Sequence, residues 1–418
     1  MSTRTGCLAI LVLCGLLPPP APASAAPRED SAGPELPAVV PVDGEPFRAG
    51  LAAIDPQWQF TFQGHEGRRV VPAAGIVSWG QWPEVGQKPL VVLADGGLLV
   101  ADVSAIAKGN LMCRSALFGE IALPLDRVAG AIFSPPADRL GRDLFIDRIA
   151  SASGQSDRVL LTNEDELKGS IQALQDRKIQ LRAAVGSRAI DVHRVAGVIF
   201  NPVLMRRDFD DRRTTLKVVP PADQRLRAWA GLSDGSRLLA SRLVLDDKSL
   251  ALTTVGGFTW KTSPKELAAL QPLGGQVAYL SDWKAAAYKH TPYLTLSWPY
   301  HMDRSVSGAW LRSAGRLYLK GLGVHSTARL TYALTEPYRR FQAQAAIDDE
   351  TGGRGSVVFR VLVDEQVRYT SPIVRGGSPP LPISVDVAGA KKLELVVEFA
   401  DRADELDHAD WLDARLVR

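Results

Sequence analysis

Four short stretches of this 418-residue chain gather side chains able to do chemistry or grip a ligand: Gly231-Leu-Ser233-Asp-Gly235, Gly321-Leu-Gly323-Val-His325-Ser326, Ile347-Asp348-Asp349-Glu350 and Asp407-His408-Ala-Asp410-Trp411. The first matches the G-x-S-x-G pattern of a nucleophilic serine, which needs a sharp turn between a strand and a helix. Strand-like residues follow it here, so a hairpin turn is expected. The histidines, His65, His193, His290, His301, His325 and His408, show no metal-ligand spacing. There is no P-loop, no H-E-x-x-H and no G-x-G-x-x-G after a strand. The remaining stretches offer different chemistry. Trp411 beside Asp410 and His408 joins a flat apolar ring to hydrogen-bonding groups, the combination that holds a sugar's C–H face and its hydroxyls. Gly321 and Gly323 permit close backbone approach next to His325. Asp348-Asp349-Glu350 lies where a strand enters a glycine-rich loop.

Composition bounds what must position these groups. Hydrophobic residues make up 46% and charged residues 23%, an ordinary globular balance with length for two to four domains. The net charge of +3 is spread among interspersed acids and bases, as in Arg206-Arg-Asp-Phe-Asp-Asp-Arg-Arg213, which argues against a nucleic-acid partner. Residues 1–25 have the form of an export signal: Arg4, an apolar run Cys7–Leu17 too short to span a bilayer, and Ala23-Ser-Ala25 with cleavage expected after Ala25. A lipoprotein reading would need Cys14 as anchor, but bulky Leu13 precedes it inside the apolar run. The protein is expected to be secreted or held in the periplasm or envelope, without a membrane span. Cys113 is then the one remaining cysteine, which excludes an intramolecular disulfide and a cysteine-based zinc site; it reads as a buried structural thiol. Residues 26–50, rich in Pro, Ala and acids, read as a disordered linker, with order beginning near Trp58.

Residues 51–275 repeat. One copy begins at Leu93-Ala-Asp95-Gly96 and ends Val128-Ala-Gly130-Ala-Ile-Phe133. A second ends Val195-Ala-Gly197-Val-Ile-Phe200. A third begins at Leu232-Ser-Asp234-Gly235 and ends Glu266-Leu-Ala-Ala269. Ala74-Gly75-Ile-Val77 is a partial echo before them. The expected unit boundaries are 51–135, 158–203 and 226–275. Each copy reads as successive strands cut by Asp-Gly or Asn-Glu-Asp turns. The pattern is similar to the small bent five-stranded barrels of Sm-like proteins. Segments 134–157 and 201–228 are longer than hairpin loops and are expected to pack between barrels or flex. No βα alternation of a barrel enzyme is present, so a sugar-cleaving domain with two facing carboxylates is not expected.

Residues 276–418 complete an all-β chain: tandem small barrel-like repeats followed by a β-sandwich. Ser356–Val363, Ile383–Val387 and Leu393–Phe399 are β-rich, with turns at Thr351–Gly355 and Gly376–Pro380. On Tyr279-Leu-Ser-Asp282, Asp303-Arg-Ser305, Lys320-Gly-Leu-Gly-Val-His325-Ser326, Phe341, Ile347-Asp-Asp-Glu350, Gly355–Val361, Val385-Asp-Val387, Gly389-Ala-Lys391 and Asp407–Ala414, this region resembles the NPCBM family, carbohydrate-binding modules attached to family-98-type glycosyl hydrolases. The resemblance implies a galactose-binding-like jelly-roll sandwich that binds glycan without catalysis, with His325, Asp348, Asp349, Asp410 and Trp411 facing the ligand. Sandwiches of this kind often carry a structural Ca²⁺, held by carboxylates with backbone carbonyls. One departure is the irregular segment between Ser281 and Asp303 with its aromatic run Tyr293–Tyr300, able to shape or cover a site differently. The expected partner is a glycan or polysaccharide, galactose-type by resemblance, with the repeats as spacer or docking region. Two alternatives stand beside it: an envelope scaffold that docks a protein partner without sugar binding, and an enzyme site hidden across the repeats. An exposed Trp411 favours the glycan reading; a fully buried Trp411 favours the scaffold.

Overall fold

Short alternating runs punctuated by turn residues fold into antiparallel strands throughout. The computed structural model describes residues 35–205 and 225–418, so the expected export signal lies outside the described residues. Among them the single α-helix is Arg139–Ala150, capped at its N-terminus by the Asp138 side chain, which accepts from the Gly141 amide at 2.6 Å.

The repeat occurs four times. Copy one comprises strands Ala38–Pro41, Phe47–Ile54, Gln59–Gly64, Gly67–Pro72 and Ile76–Gly80. Copy two runs from Leu90–Leu93 to Val128–Ile132, copy three from Asp157–Leu161 to Val195–Ile199, and copy four from Arg227–Leu232 to Leu267–Leu273. A 3-10 turn precedes each final strand: Ala73–Gly75, Leu125–Arg127, Val192–Arg194 and Pro264–Glu266. Two expectations need correction. The linker assigned to residues 26–50 gives way to strands from Ala38 onward, and the unit assigned to 51–135 contains most of copy one and all of copy two. Copy one opens with the same Asp-Gly turn, at Asp43-Gly44, that marks copies two and four; Gly44 has φ of +91°. The surrounding prolines and acids disguised it.

The copies join in pairs through their final strands. Copy two meets copy three at Gly130↔Ile199, Ala131↔Val198 and Ile132↔Gly197, and copy one meets copy four at Gly80↔Ala269 and Trp79↔Leu270. The glycine shared by the two Val-Ala-Gly motifs belongs to this joint. A Cβ on Gly130 would stand 2.1 Å from the Val198 carbonyl oxygen, so any other residue would part the strands. Segment 134–157 does pack between elements: its helix lays Ile146 and Ile149 against Leu90, Val92 and Leu160. Cys113 is buried in the repeat core.

The C-terminal region is a sandwich of two antiparallel sheets. One orders His301–Met302, Gly321–His325, His408–Val417, Arg340–Ile347 and Leu381–Asp386; the other orders Ala287–His290, Ala328–Ala333, Lys392–Phe399, Ser356–Val363 and Gln366–Thr370. Phe341, Phe359, Tyr332 and Trp411 fill the space between them. A separate hairpin, Leu311–Ser313 with Arg316–Tyr318, projects toward the repeats.

The repeats and the sandwich form one compact unit over residues 36–418, and the hairpin is one of the contacts between them. Arg312 enters it almost fully buried, 2.5 Å from Asp143 on the helix and 2.7 Å from Glu84 on the connection between copies one and two. Asp143 also accepts from the Trp310 amide at 3.1 Å, and the Arg237 guanidinium of copy four lies 3.9 Å over the Trp310 ring. A second seam joins Val42, Val77 and Leu273 of copies one and four to Tyr279 and Val417. Breaking a buried ion pair by removing one partner leaves the other charge unpaired. Arg312→Ala should therefore cost about 3–5 kcal/mol of stability, read by urea unfolding, whereas Arg114→Ala, which removes an exposed pair with Glu120, should cost less than about 1 kcal/mol.

Candidate functional site

Three neighbouring strand ends meet at one end of the sandwich. Strand pairing sets His325 opposite His408, and Ile347, just before Asp348, opposite Ala409. The 3-10 turn Asp349–Thr351 follows at once, with the Asp348 side chain capping it by accepting from the Glu350 amide at 2.9 Å. This turn brings Glu350 to His408, where Oε1 lies 2.7 Å from Nδ1; its other oxygen accepts from the hydroxyls of Ser305 and Ser307. Burial alone would raise the Glu350 pKa, but the His408 and Ser307 hydrogen bonds overcome it and hold the carboxyl below its ordinary range.

The aromatic run supplies the flat face. Trp298 stacks on His325 with ring centroids 5.0 Å apart and planes 5° from parallel, and its ring also lies 5.9 Å from that of His408. His290, from the opposite sheet, packs edge-on against His325 at 6.0 Å. His290 accepts from the Trp298 amide through Nδ1, which leaves Nε2 to donate to the Ser326 carbonyl at 3.1 Å. The Tyr288 hydroxyl donates to the Trp298 carbonyl at 2.7 Å, so the indole is held from both sides of its peptide. Trp298, His290 and His408 remain partly exposed around buried His325, whose pKa is lowered by burial. The arrangement can present an aromatic edge and face together with imidazole and carboxylate groups to a polyhydroxylated ligand.

The other residues expected to face a ligand are turned into the core or tied to backbone amides. Trp411 is 0% exposed and sits in the core, edge-on to Phe359 at 4.8 Å and Phe341 at 6.1 Å. Its strand alternation turns it inward, between the sheets. Asp349 accepts from the amides of Ala314 and Gly315 at 3.0 and 2.8 Å, clamping the tip of the interdomain hairpin. Asp348 accepts from the Arg312 amide at 2.9 Å. Asp410 is wholly buried beside Asp348, and its two carboxylate oxygens find no N–H donor. Burial pushes Asp348 up to about 6, and burial together with the Asp348 carboxyl pushes Asp410 far above the usual carboxylate range. A proton held between the two carboxyls would supply the donor that Asp410 otherwise lacks. Among the described residues no three His, Cys, Asp or Glu side chains are grouped to hold a metal ion; the oxygens of Asp348 are already engaged by backbone amides.

Trp298 and His290 have no place in the motifs read from sequence, while His408 and Glu350 stand in those motifs without being among the five residues expected to face the ligand. Their signal lay in the departure of segment 281–303 and in His408 adjoining Asp410. Gly323, by contrast, serves packing: a Cβ there would meet the Arg304 carbonyl oxygen at 2.4 Å. Lys320 of the same motif is buried between Asp282 and Asp303, at 2.9 and 2.7 Å. The Ser233 stretch is a hairpin turn, closed by the Leu232 amide on the Ser236 carbonyl at 2.9 Å.

Comparison with known proteins bears on this region. Residues 276–417 match the NPCBM/NEW2 domain. The C-terminal third of the chain is an NPCBM domain. Alpha-1,3-galactosidase B of Akkermansia muciniphila is 37% identical over 116 residues, 27% of this chain and 14% of that enzyme's length. The match thus spans about a seventh of that relative. Among solved structures, a CBM51 module from Clostridium perfringens GH95 in complex with methyl-galactose is 26% identical, covering 34% of this chain and 99% of its own, at a TM-score of 0.31. The CBM51-2 and INT domains of Clostridium perfringens ZmpB, in complex with GlcNAc, are 26% identical over 42% of this chain and 38% of theirs, at a TM-score of 0.31.

Two outcomes follow from the geometry. Trp411→Ala should cost about 3–5 kcal/mol through the cavity it leaves, measured by urea unfolding, while Trp298→Ala should leave the near-ultraviolet signature of the core intact. The acid pair sets a pH dependence. A carboxyl whose folded pKa is raised binds its proton more tightly folded than unfolded. Its effect on stability is therefore least unfavourable at low pH and grows as pH rises above roughly 4, the unfolded value. Glu84 and Glu350, held low, act in the opposite sense. Asp410→Asn isolates the pair: its stability relative to wild type should improve by about 1–3 kcal/mol between pH 5 and pH 8, and an unchanged difference would count against a shared proton.

Proposed function

We propose that this protein is an exported, non-catalytic glycan-binding protein, and that Trp298, His325, His408 and Glu350 form its contact surface. The observation that carries the reading is the convergence of an aromatic ring with imidazole and carboxylate groups at one end of an NPCBM domain. Sugars are held by this union of apolar face and fixed polar groups. A galactose-type ligand is in keeping with the name of the Akkermansia relative. The repeats act as a rigid base. Their buried ionic and apolar seams with the sandwich fit a fixed platform better than a flexible spacer.

A scaffold reading rests on one specific observation: Trp411, the tryptophan beside Asp410, is buried. On that reading the module's face has turned to a protein partner in the envelope. Export itself rests on the character of residues 1–25.

The deciding experiment is a glycan array probed with the chain from residue 26 onward, with and without calcium. Galactose-terminated glycans should bind, and Trp298→Ala and His408→Ala should each weaken binding more than tenfold, roughly 1.4 kcal/mol or more, without unfolding the protein. Absence of binding by folded wild type in both conditions would sink the glycan reading in favour of the scaffold.

A further inference from the structure

The segment that carries Trp298 has a second surface that the glycan site leaves unused. Between Thr291 and Ser297 no strand forms, and Tyr293, Leu294 and Leu296 stand 55%, 80% and 64% exposed. Phe399, at 44%, adjoins them, its ring edge-on to Tyr293 at 5.8 Å. The base of the segment is fixed. Tyr288 and His290 hold Trp298, and the Tyr300 hydroxyl accepts from the Ala285 amide at 3.3 Å. An anchored base with apolar tips is a protrusion held ready. Such exposure is costly in water and marks an interaction surface.

We propose that this loop docks on a lipid bilayer, with Leu294 and Leu296 entering the interfacial zone. Three features favour that occupant. Side chains exposed to this degree project from the surface, which suits a deformable partner. Tyr293 and Phe399, paired edge-on and less exposed than the leucines, supply aromatic rings of the kind that sit at the headgroup boundary. The charge is also suitable: residues 283–302 contain no Asp or Glu, and Lys284 and Lys289 are exposed and enter no ion pair among the described residues. On the facing segment Glu398, Asp401 and Glu405 are each held by an arginine, Arg360, Arg375 and Arg354, which leaves Asp404 as the remaining acid. The loop backbone lacks strand partners and needs water, so insertion stops at headgroup depth.

The test is co-sedimentation of the chain from residue 26 onward with sugar-free vesicles of phosphatidylcholine, alone or with phosphatidylglycerol added. Wild type should sediment with the vesicles, more so with the anionic lipid. The double variant Leu294→Ser/Leu296→Ser should lower the bound fraction about tenfold while keeping the same thermal midpoint, as expected for exposed positions. Lys284→Glu/Lys289→Glu should abolish the gain from phosphatidylglycerol. Wild type left in the supernatant with both vesicles, or equal binding by the leucine variant, would overturn the proposal. So would sedimentation velocity showing a lipid-free dimer that the leucine variant abolishes, since the loop would then join two copies of this chain. Because the vesicles carry no glycan, neither result depends on the sugar-binding reading.

Discussion

A guanidinium cannot be taken out of water unless every part of it is matched, and the architecture of this protein turns on meeting that condition at Arg312. Its side chain is met by Asp143 and Glu84 from the repeats, and its own amide is met by Asp348 from the sandwich. Burial alone would lower the Arg312 pKa, but the two carboxylates hold it well above its usual value. Trp310 adds a flat surface for Arg237. One residue thereby ties the helix, the connection between two barrels, the projecting hairpin and the acid pair beneath the site. The four elements share a single electrostatic balance.

The end of the sandwich is accordingly built in two layers. The lower layer is polar and sealed: Asp348, Asp410 and Asp407, the last accepting from Ser326 and from the Ser356 amide at 2.7 and 2.8 Å. Burial pushes Asp407, too, up to about 6. The upper layer is aromatic and open, with Trp298 over His325 and His408. The lower layer fixes where the strands stop, and so where the upper rings stand. Residues that look like ligand contacts in a list of motifs are, in space, the supports of the residues that meet solvent.

Much of this order was legible from sequence, and what was not has a physical reason. The all-β class, the barrel-like repeats, the buried Cys113 and the C-terminal sandwich followed from alternation, turn dipeptides and family resemblance. Copy one is legible only as the partial echo Ala74-Gly75-Ile-Val77, because proline and acid content masks the Asp43-Gly44 turn, although a turn dipeptide specifies local geometry and composition does not. The site was half legible. Of the residues expected to face a ligand, His325 lies among the rings at the sandwich end, whereas Trp411 lies in the core. The strand His408–Val417 is buried on both faces, with Asp410 and Trp411 alike at 0% exposure, and the motif does not state that double burial. Trp298 reaches the site through an irregular loop, and its position depends on hydrogen bonds from Tyr288 and His290 that no local pattern reveals.

The pairing of the copies has a consequence for how the chain acquires its shape. Copy two meets its neighbour, copy three, but copy one meets copy four, across nearly two hundred intervening residues. As the polypeptide emerges from its N-terminus, Ile76–Gly80 can pair on one side with Ala38–Pro41, but its outer edge waits until Ala269 and Leu270 are made. The first barrel must therefore wait, with an open strand edge, while the middle pair assembles inside the growing loop. Such nested, long-range closure is slow and prone to mispairing. It also makes the array indivisible: trimming a barrel from either end strands the one at the other.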